Sequence, residues 1–329
     1  MILVTGAAGY VGAHILLALL DRGIPVLALD SLITGDRRQV PDGICFIEGD
    51  CGDRVLVEQL VRTHGVDLVI HCAGLISVTE SVEQPLRYYA ANVASALALV
   101  EAAAAGGARR IVFSSTATVY GAPDAALLGE DLPLAPVNPY AASKAMVERM
   151  LADAAAAGLL QVAVLRYFNV AGADPAGRAG QVSRVSTHIV KIAAEAAVGR
   201  RDHVALTGTD YPTPDGTGIR DYIHVSDLAD AHLAAVDALR AGARHLVLNV
   251  GYGRGASVND VLDALDRVTG SAVRRVPAPR RPGDVARLVA DTARIRNILG
   301  WTPRHDDLDR IVADAVAWER RLIDHSNLS

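Results

Sequence analysis

The 329-residue sequence has little of what marks a secreted or nucleic-acid-binding protein. It contains only three cysteines, Cys45, Cys51 and Cys72, and this odd set lacks disulfide-framework or CxxC spacing. We therefore expect reduced thiols and a cytoplasmic protein. The net charge is −5 with acidic and basic residues interspersed, so the basic surface that binds nucleic acid is not expected.

Long hydrophobic runs are also missing, although 51% of the residues are hydrophobic. Alanine, leucine and valine are spread at helix and strand periods, and we find no uninterrupted run long enough to span a bilayer. Met1 is followed directly by a short β-rich run and a glycine turn, without the basic and apolar regions of an export signal. These exclusions predict a small-molecule partner and neither a membrane nor a nucleic acid.

Short buried-strand patterns alternate with helical periods through the first half of the chain. Strands are expected at Ile2–Thr5, Val26–Leu29, Ile44–Ile47, Leu68–Ile70, Ile111–Phe113 and Val162–Leu165, and helices at Val11–Leu20, Val55–Thr63, Leu86–Ala105 and Ala141–Ala157. This alternation predicts an α/β fold with a Rossmann-like, doubly wound parallel sheet.

The rhythm changes after about Ala171, which predicts two domains. Residues 1–170 are expected to form the Rossmann-like domain and residues 171–329 mainly a smaller C-terminal α/β lobe, with Leu246–Val250 returning to the main sheet. Within the lobe we expect a helix at His188–Val198 and a turn-rich segment at Gly208–Gly218. Two further helices are expected, Asp227–Leu239 with Ser226 as its N-cap and Val261–Val268 after a capping box of Ser257 and Asp260.

A glycine-rich loop connects the first strand to the first helix. Gly6, Gly9 and Gly12 would let the backbone turn tightly and bring a pyrophosphate to the positive end of the helix, although glycines also mark ordinary turns. Asp30 ends the second strand at the distance expected for an acid that binds the adenosine ribose. A carboxylate there would repel a ribose phosphate and so favours NAD over NADP, unless Asp30 is a simple turn residue.

Tyr140 and Lys144 are four residues apart in a helix that Pro139 can start, so their side chains share one face. A nearby ammonium and an oxidised nicotinamide would favour the tyrosine phenolate, which could then accept a hydroxyl proton. The alternative is an exposed aromatic residue beside a solvated lysine.

A buried strand from Ile111 runs into the hydroxyl-rich segment Ser114–Tyr120, which contains Thr116. Ligands of a doubly wound sheet lie at such carboxyl ends of strands. Hydroxyls there could bridge the tyrosine and a substrate, or they could only satisfy local backbone groups.

With these motifs the sequence resembles the extended short-chain dehydrogenase/reductases and, within them, the UDP-galactose 4-epimerase family over nearly its whole length. The most specific matching segment is Asp210–Val225, which points to the epimerase branch. The other matching segments are Thr5–Gly12, His71–Gly74, Phe113–Gly121, Pro139–Lys144, Arg166–Asn169 and Gly199–Asp202.

The resemblance implies roles for individual residues. Tyr140 would be the base, Lys144 its electrostatic partner and ribose ligand, and Thr116 the assisting hydroxyl. The implied cofactor contacts are Gly6, Gly9, Tyr10, Val11, Gly12, Asp30, Asp50, Cys51, Ala73, Gly74, Asn92, Tyr140, Lys144 and Tyr167. The implied substrate contacts are Thr116, Asn169, His188, Ile189, Arg220, Arg281, Asp284 and Leu288. By contrast, Arg200 and Arg201 are expected to form a solvated helix end.

Three departures from the family pattern bear on these expectations. Ile76 stands where the family commonly has a lysine near the cofactor, so one cationic contact is absent. His188 and Ile189 replace a common Asn-Leu pair, although histidine can still hydrogen-bond a sugar or a phosphate. Leu288 stands where an aromatic or a small residue is associated with different tolerance of a substituent at sugar C2.

The resemblance implies NAD-dependent epimerisation at C4 of a UDP-hexose through a 4-keto intermediate, in a homodimer that requires no metal. A UDP-N-acetylhexosamine or UDP-pentose 4-epimerase is the alternative. A nucleotide-sugar 4,6-dehydratase would carry Asp-Glu after the threonine, where this chain has Ala117 and Thr118. A non-catalytic NAD-sensing protein would have little reason to keep Thr116, Tyr140 and Lys144 together.

Overall fold

The computed structural model describes residues 1–183, 186–281 and 284–326. The strands are β1 (Ile2–Thr5), β2 (Val26–Asp30), β3 (Cys45–Glu48), β4 (Leu68–His71), β5 (Arg110–Thr116), β6 (Gln161–Tyr167), β7 (Asn169–Ala171), β8 (Val204–Thr207), β9 (Ile219–Arg220), β10 (Tyr222–His224), β11 (His245–Val250), β12 (Ala256–Ser257), β13 (Arg275–Ala278) and β14 (Arg287–Leu288). The helices are α1 (Tyr10–Asp21), α2 (Arg54–His64), α3 (Val78–Glu83), α4 (Pro85–Tyr89), α5 (Ser95–Gly106), α6 (Pro139–Ala156), α7 (Ile189–Ala197), α8 (Val225–Arg240), α9 (Val258–Thr269), α10 (Ala293–Leu299) and α11 (Leu308–Ser326).

Seven parallel strands form the main sheet in the order β3-β2-β1-β4-β5-β6-β11. The prediction of a doubly wound parallel sheet is confirmed, as is the return of Leu246–Val250 to it, because β11 pairs with β6. The strand order reverses between β1 and β4. In such sheets a ligand binds at the carboxyl ends of the strands beside this reversal.

Successive side chains of each strand point to opposite faces of the sheet, and both faces are packed. Ile2 and Val4 of β1 pack into one buried cluster with residues of α1 and α8, whereas Leu3 packs into a second cluster with residues of α2, α5 and α6. All three side chains are fully buried. The strands are apolar on both faces because helices cover both faces.

The C-terminal part of the chain forms small sheets around helices. β10 pairs with β7, β13 pairs with β8, and β9 lies between β12 and β14. The capping box of Ser257 and Asp260 is confirmed at the start of α9. Arg200 and Arg201 are not simply solvated, because they pair with Glu319 and Glu195.

Two local predictions are wrong. Ser226 is not an N-cap, because α8 begins at Val225 and the His224 ring accepts a hydrogen bond from the Ser226 amide at 3.1 Å. The predicted helix Leu86–Ala105 is interrupted by a π-helical turn at Ala90–Ala94, between α4 and α5. A π turn of this kind often lies at a functional site.

The helical stretch Pro85–Gly106 is long and apolar enough by length and composition to cross a membrane, although Arg87, Asn92 and Glu101 interrupt its apolar residues. It has 22 residues, and the 18-residue window that meets the membrane-span criterion has a mean hydropathy of 1.3 and is 33% buried. Its most exposed apolar side chain, Leu86, is 80% exposed. The stretch therefore presents an apolar surface that the described residues leave partly exposed.

Candidate active site

The glycine loop occupies the carboxyl end of β1, at the reversal of strand order. Gly6 has φ +68°, and a Cβ there would lie 2.5 Å from the Ala73 nitrogen at the end of β4. A Cβ on Gly12 would lie 2.1 Å from the Gly6 carbonyl oxygen, so the loop is closed by contacts that only glycine permits. Gly9 caps α1, and no acidic residue occupies the first turn, which contains Tyr10 and Val11. The positive end of α1 can therefore hold a pyrophosphate.

Asp30 ends β2 beside this loop and is 8% exposed. Its Oδ2 accepts from the Ala8 amide at 2.9 Å, and its Oδ1 accepts from the Leu32 amide at 2.8 Å. A carboxylate offers about four acceptor positions, so these bonds leave room for ribose hydroxyls. Asp30 thus both braces the glycine loop and offers charge to a ligand.

Asp50 and Cys51, the residues expected near adenine, follow β3. Asp50 Oδ1 accepts from the Gly52 amide at 2.8 Å. Burial raises the pKa of the Cys51 thiol to about 12, with further contributions from the nearby carboxylates of Asp50 and Asp30. The thiol is therefore neutral at physiological pH, and the structure brings these residues to the same side of the sheet as Asp30.

Asn92, in the π-helical turn, fixes the loop after β4. Its Oδ1 accepts from the Leu75 amide at 2.8 Å, and its Nδ2 donates to the Leu75 carbonyl at 3.0 Å and to Ser143 Oγ at 3.0 Å. Gly74 has φ +154°, and a Cβ there would lie 3.0 Å from Asn92 Oδ1. The side chain therefore ties the loop to α6, while Ile76 of the same loop is 64% exposed.

Tyr140 and Lys144 lie in α6, which Pro139 begins and Asn138 caps through its side chain. Both are buried, so the alternative of an exposed tyrosine beside a solvated lysine is wrong. Lys144 Nζ donates to the Ser114 carbonyl at 3.0 Å and lies 4.9 Å from the centroid of the Phe113 ring. Helix α6 therefore brings both side chains to the carboxyl end of β5.

Burial dominates the electrostatics of this pair. It raises the pKa of Tyr140 to about 12, and a hydrogen bond with Thr116 offsets part of the increase. Burial also lowers the pKa of Lys144 to about 8. Without the cofactor charge, desolvation therefore outweighs the effect of the Lys144 ammonium, which donates to a backbone carbonyl; the expected stabilisation of the phenolate by ammonium and nicotinamide together stays a prediction.

Thr116 ends β5 and is 6% exposed. Its Oγ1 lies 3.0 Å from Thr118 Oγ1 and accepts from the Thr118 amide at 3.2 Å. The hydroxyl therefore satisfies a local backbone group and also lies near Tyr140, and its bridging of the tyrosine and a substrate stays a prediction. Burial and then the charge of Tyr140 raise the pKa of Tyr167, which ends the neighbouring strand β6.

The residues expected to bind the nucleotide diphosphate gather at α7, β9 and the segment before β14. Arg220 forms an ion pair with Asp284, and Arg281 donates to the Thr187 carbonyl at 3.3 Å, beside His188. His188 is the N-cap residue of α7, which Ile189 begins. Burial and then the Arg281 charge lower the pKa of His188, whose buried Nδ1 has no hydrogen-bond partner among the described residues. The group combines two guanidinium groups with an open helix N-terminus.

Leu288 connects this group to the catalytic residues. In the β9–β14 pair it lies opposite Arg220, and it packs against the buried cluster that contains Ala117 and Phe168. Ala117 directly follows Thr116. Leu288 therefore contacts both the strand of Arg220 and the cluster that contains Ala117, the residue after Thr116.

Asp221 is a structural part of the site that sequence reasoning missed. It is fully buried, and its carboxylate accepts from the backbone amides of Tyr252, Gly253 and Ala290 at 2.8 to 3.2 Å. Its own carbonyl accepts from the amide of Asn169 at 2.9 Å. Asp221 thus holds Arg220 and Asn169 in place. An acid directly after the arginine within the Asp210–Val225 segment was the available signal.

No group of three or more histidine, cysteine or acidic residues suited to a metal ion occurs in residues 1–183, 186–281 and 284–326. The charged groups of the described site include Lys144, the guanidinium groups of Arg220 and Arg281, and the carboxylate of Asp284 that pairs with Arg220.

Comparisons with known proteins agree with this arrangement. The model of the NAD dependent epimerase/dehydratase family matches residues 2–251. The UDP-glucose 4-epimerase of Azospirillum brasilense is 54% identical over 321 residues, which cover 98% of this chain and 92% of the relative.

Two solved structures are similar over almost their whole length. The UDP-glucose 4-epimerase of Stenotrophomonas maltophila, with bound NAD and formylated UDP-arabinopyranose, has a TM-score of 0.95 at 38% identity and covers 98% of this chain and 99% of its own. The UDP-Glc/GlcNAc 4-epimerase of Campylobacter jejuni has a TM-score of 0.85 at 41% identity, covering 97% of this chain and 99% of its own.

Proposed function

The chain belongs to the NAD dependent epimerase/dehydratase family, and we propose that it interconverts UDP-galactose and UDP-glucose by inverting C4 with NAD as its cofactor. The observation that carries this proposal is the convergence of Tyr140, Lys144 and Thr116 at the carboxyl end of β5, beside the glycine loop. A protein that only senses NAD would not need a buried phenol and hydroxyl facing the same space.

The residues present fit NAD. The open N-terminus of α1 suits its pyrophosphate, and Gly6 and Gly12 stand where any Cβ would collide with backbone. Asp30 supplies a carboxylate at the ribose position, which favours NAD over NADP. Asp50, Cys51, Ala73, Gly74, Asn92, Tyr167 and the backbone of Tyr10 and Val11 are the other proposed cofactor contacts.

In the proposed reaction Tyr140 Oη accepts the proton of the sugar C4 hydroxyl, and Thr116 Oγ1 hydrogen-bonds to that phenol. NAD, held by the glycine loop and Asp30, would supply the reversible hydride acceptor for C4, so that the sugar passes through a 4-keto form. Lys144 holds a positive charge beneath the phenol and stabilises it when ionised. Tyr140 then returns its proton to the new C4 hydroxyl.

Inversion requires the sugar to turn while the nucleotide stays bound. Arg220 and Arg281 can hold the diphosphate through charge-assisted hydrogen bonds, and His188, Ile189, Asn169 and Asp284 complete the proposed substrate contacts. The sugar end meets the aliphatic side chain of Leu288, which offers no polar group to fix one orientation. A strongly held nucleotide beside a loosely held hexose is the property that the reaction needs.

The half-buried Leu288 also supports a second substrate class. A leucine fills less space than an aromatic residue, so an N-acetyl group at sugar C2 would meet less obstruction. The similar enzyme of Campylobacter jejuni acts on both UDP-Glc and UDP-GlcNAc by its description. We therefore propose UDP-galactose as the preferred substrate and UDP-N-acetylgalactosamine as a weaker one, with a UDP-pentose as the remaining alternative.

We further propose a cytoplasmic homodimer that binds neither membrane nor nucleic acid, with residues 1–170 as the NAD-binding domain and 171–329 mainly as the substrate-binding lobe. The exposed apolar face of Pro85–Gly106 supports dimerisation, since Leu86 and Leu97 are 80% and 44% exposed. Met146 of α6, 48% exposed, supplies a second helix for an intersubunit bundle.

A coupled assay tests the proposed function. The purified protein is given UDP-galactose, UDP-N-acetylgalactosamine or a UDP-pentose, each with and without added NAD. We expect UDP-glucose to form from UDP-galactose at the highest kcat/KM. A dependence on added NAD would show that the Ile76 loop retains the cofactor weakly. Turnover of none of the three substrates in NAD-loaded protein would refute an epimerase function.

A further inference from the structure

A buried polar network lies directly behind the catalytic face of α6. Glu148 follows Lys144 by one helical turn and forms an ion pair with Arg166 of β6, whose Nη2 lies 2.6 Å from Glu148 Oε2. The two side chains are only 6% and 7% exposed. Arg166 Nη1 also donates to Tyr120 Oη at 3.0 Å, and that hydroxyl donates to Asn249 Oδ1 at 2.7 Å.

The same carboxylate reaches the strand that carries the catalytic hydroxyl. Ser115 Oγ donates to Glu148 Oε1, and Ser115 directly precedes Thr116 in β5. Ser115 is fully buried. Glu148 therefore joins the helix of Tyr140 and Lys144 to the strand of Thr116 at a point one residue from the reacting groups.

From this geometry we propose that Glu148 is a positioning residue of the epimerase reaction, which aligns α6 with Thr116 through Ser115 and keeps Lys144 charged. The proposal rests on the proposed function for its kinetic consequences. The Glu148 carboxylate would thus have two separable roles: it accepts the Ser115 hydrogen bond that positions Thr116, and its negative charge acts on Lys144.

The charge matters because Lys144 is in an unfavourable environment. Burial lowers its pKa to about 8, and the acidic groups of Cys72, Glu148 and Cys51 offset part of that decrease. The other groups around Lys144 are Tyr140 on its own helix, the Phe113 ring and Ser114 carbonyl of β5, and His71 at the end of β4.

The two thiols carry no charge at physiological pH, because burial raises the thiol pKa of Cys51 to about 12 and of Cys72 to about 11. The His71 ring stays neutral, because burial and the Lys144 charge lower its pKa to about 3. Among these neighbours, the negative charge that sustains the lysine therefore comes from Glu148.

The chain permits a direct measurement, because lysine occurs only at positions 144 and 191. Holoenzyme labelled with 13C-lysine gives two side-chain Cε signals, and Lys191→Arg identifies that of Lys144. We expect Glu148→Gln to lower the titration midpoint of Lys144 by about one pH unit, as expected on loss of a nearby opposite charge. The midpoint of the alkaline limb in the pH profile of kcat should move to lower pH by the same amount.

Ser115→Ala is the matched variant, because it removes the hydrogen bond and keeps the charge. We expect its Lys144 midpoint to stay at the wild-type value, while kcat for UDP-galactose falls about tenfold and KM changes less than about twofold. Bound NAD, measured by absorbance after denaturation, should be unchanged in both variants.

Glu148→Gln leaves the buried Arg166 without its anion and could prevent folding. In that case Glu148→Gln combined with Arg166→Met, which leaves neither buried charge, is titrated instead, with a smaller expected decrease because the nearby positive charge of Arg166 is lost as well. An unshifted Lys144 midpoint would overturn the electrostatic part of the proposal, and wild-type kcat in Ser115→Ala would overturn the alignment part. Inactivity of the wild-type protein would instead refute the proposed function, and the Lys144 titration would still decide the charge.

Discussion

Replacement of Tyr140 by phenylalanine removes one oxygen atom and preserves the ring that packs at the start of α6. The side chain is only 8% exposed, so the phenylalanine ring fits the same cavity. The hydroxyl loses its interaction with Thr116, which offsets part of the increase in the Tyr140 pKa that burial causes. We therefore expect a folded protein with normal NAD content and little change in thermal stability.

The effect on catalysis follows from the pKa of the phenol. Burial raises that pKa from 10 to about 12, which corresponds to about 3 kcal/mol of unfavourable ionisation. At pH 8 only about one phenol in 10⁴ would be ionised without help from a bound cation. The protein maintains this costly group beside the substrate, and we expect Tyr140→Phe to lower kcat by at least the ~10² typical of general acid–base catalysis.

The assay compares kcat for UDP-galactose at pH 8 in wild type, Tyr140→Phe and Tyr88→Phe. Tyr88 is a matched control, since it is fully buried and its hydroxyl donates to Glu80, away from the site. We expect Tyr88→Phe to retain kcat within about threefold. Turnover of Tyr140→Phe within tenfold of wild type would show that the phenol is not the base.

Four other predictions concern the cofactor, the substrate, the assembly and acid stability. Asp30→Ala should bring the ratio of NAD to NADP affinities from at least about tenfold to near one; the ratio is the readout because Asp30 also accepts from the Ala8 amide. Leu288→Ser should raise kcat/KM for UDP-N-acetylgalactosamine and Leu288→Tyr should abolish that activity, because one misfitted group changes the transition-state free energy by about 1–3 kcal/mol. An unchanged ratio of kcat/KM between the two substrates in both variants would show that Leu288 does not face the sugar. Leu86→Glu should convert the proposed dimer to monomer in size-exclusion chromatography with light scattering, and an unchanged mass would place the interface elsewhere. Burial lowers the pKa of His14 to about 4 and of His71 to about 3, so below pH 6.5 the unfolded chain gains protons that the folded protein does not bind. Each histidine should therefore lower the free energy of unfolding by about 2 kcal/mol at pH 5 relative to its value above pH 6.5. Urea titration measures this, and a free energy of unfolding that stays constant from pH 7 to 5 would refute it.

The sequence was sufficient wherever a local pattern has a single physical solution. A β-rich run, three spaced glycines and an apolar helix can satisfy their backbone groups in few other ways, and the structure places Gly6, Gly9 and Gly12 as expected. Pro139 after Asn138 likewise starts α6, because proline suits the first turn and asparagine caps it. The sheet follows from the alternation of such units.

Features that depend on distant partners were not visible. The π-helical turn around Asn92 lies in an alanine-rich stretch whose spacing predicts an ordinary helix, and its contacts are with Leu75 and Ser143. Asp221 acquires its role from three amides that are 31, 32 and 69 residues away. No local periodicity carries information about contacts of this kind.

The same limit applies to the pKa of Tyr140, and it bears on how the site works. A lysine four residues away suggests a stabilised phenolate, but burial raises the pKa of the Tyr140 phenol to about 12 and lowers the pKa of Lys144 to about 8. A cationic cofactor ring would lower the pKa of Tyr140, and the same charge would also lower the pKa of Lys144. In the role proposed for it, Glu148, held between Arg166 and Ser115, supplies a fixed negative charge one helical turn from Lys144. The titration of Lys144 in Glu148→Gln therefore tests whether the buried ion pair behind α6 acts on proton transfer as well as on the packing of the core.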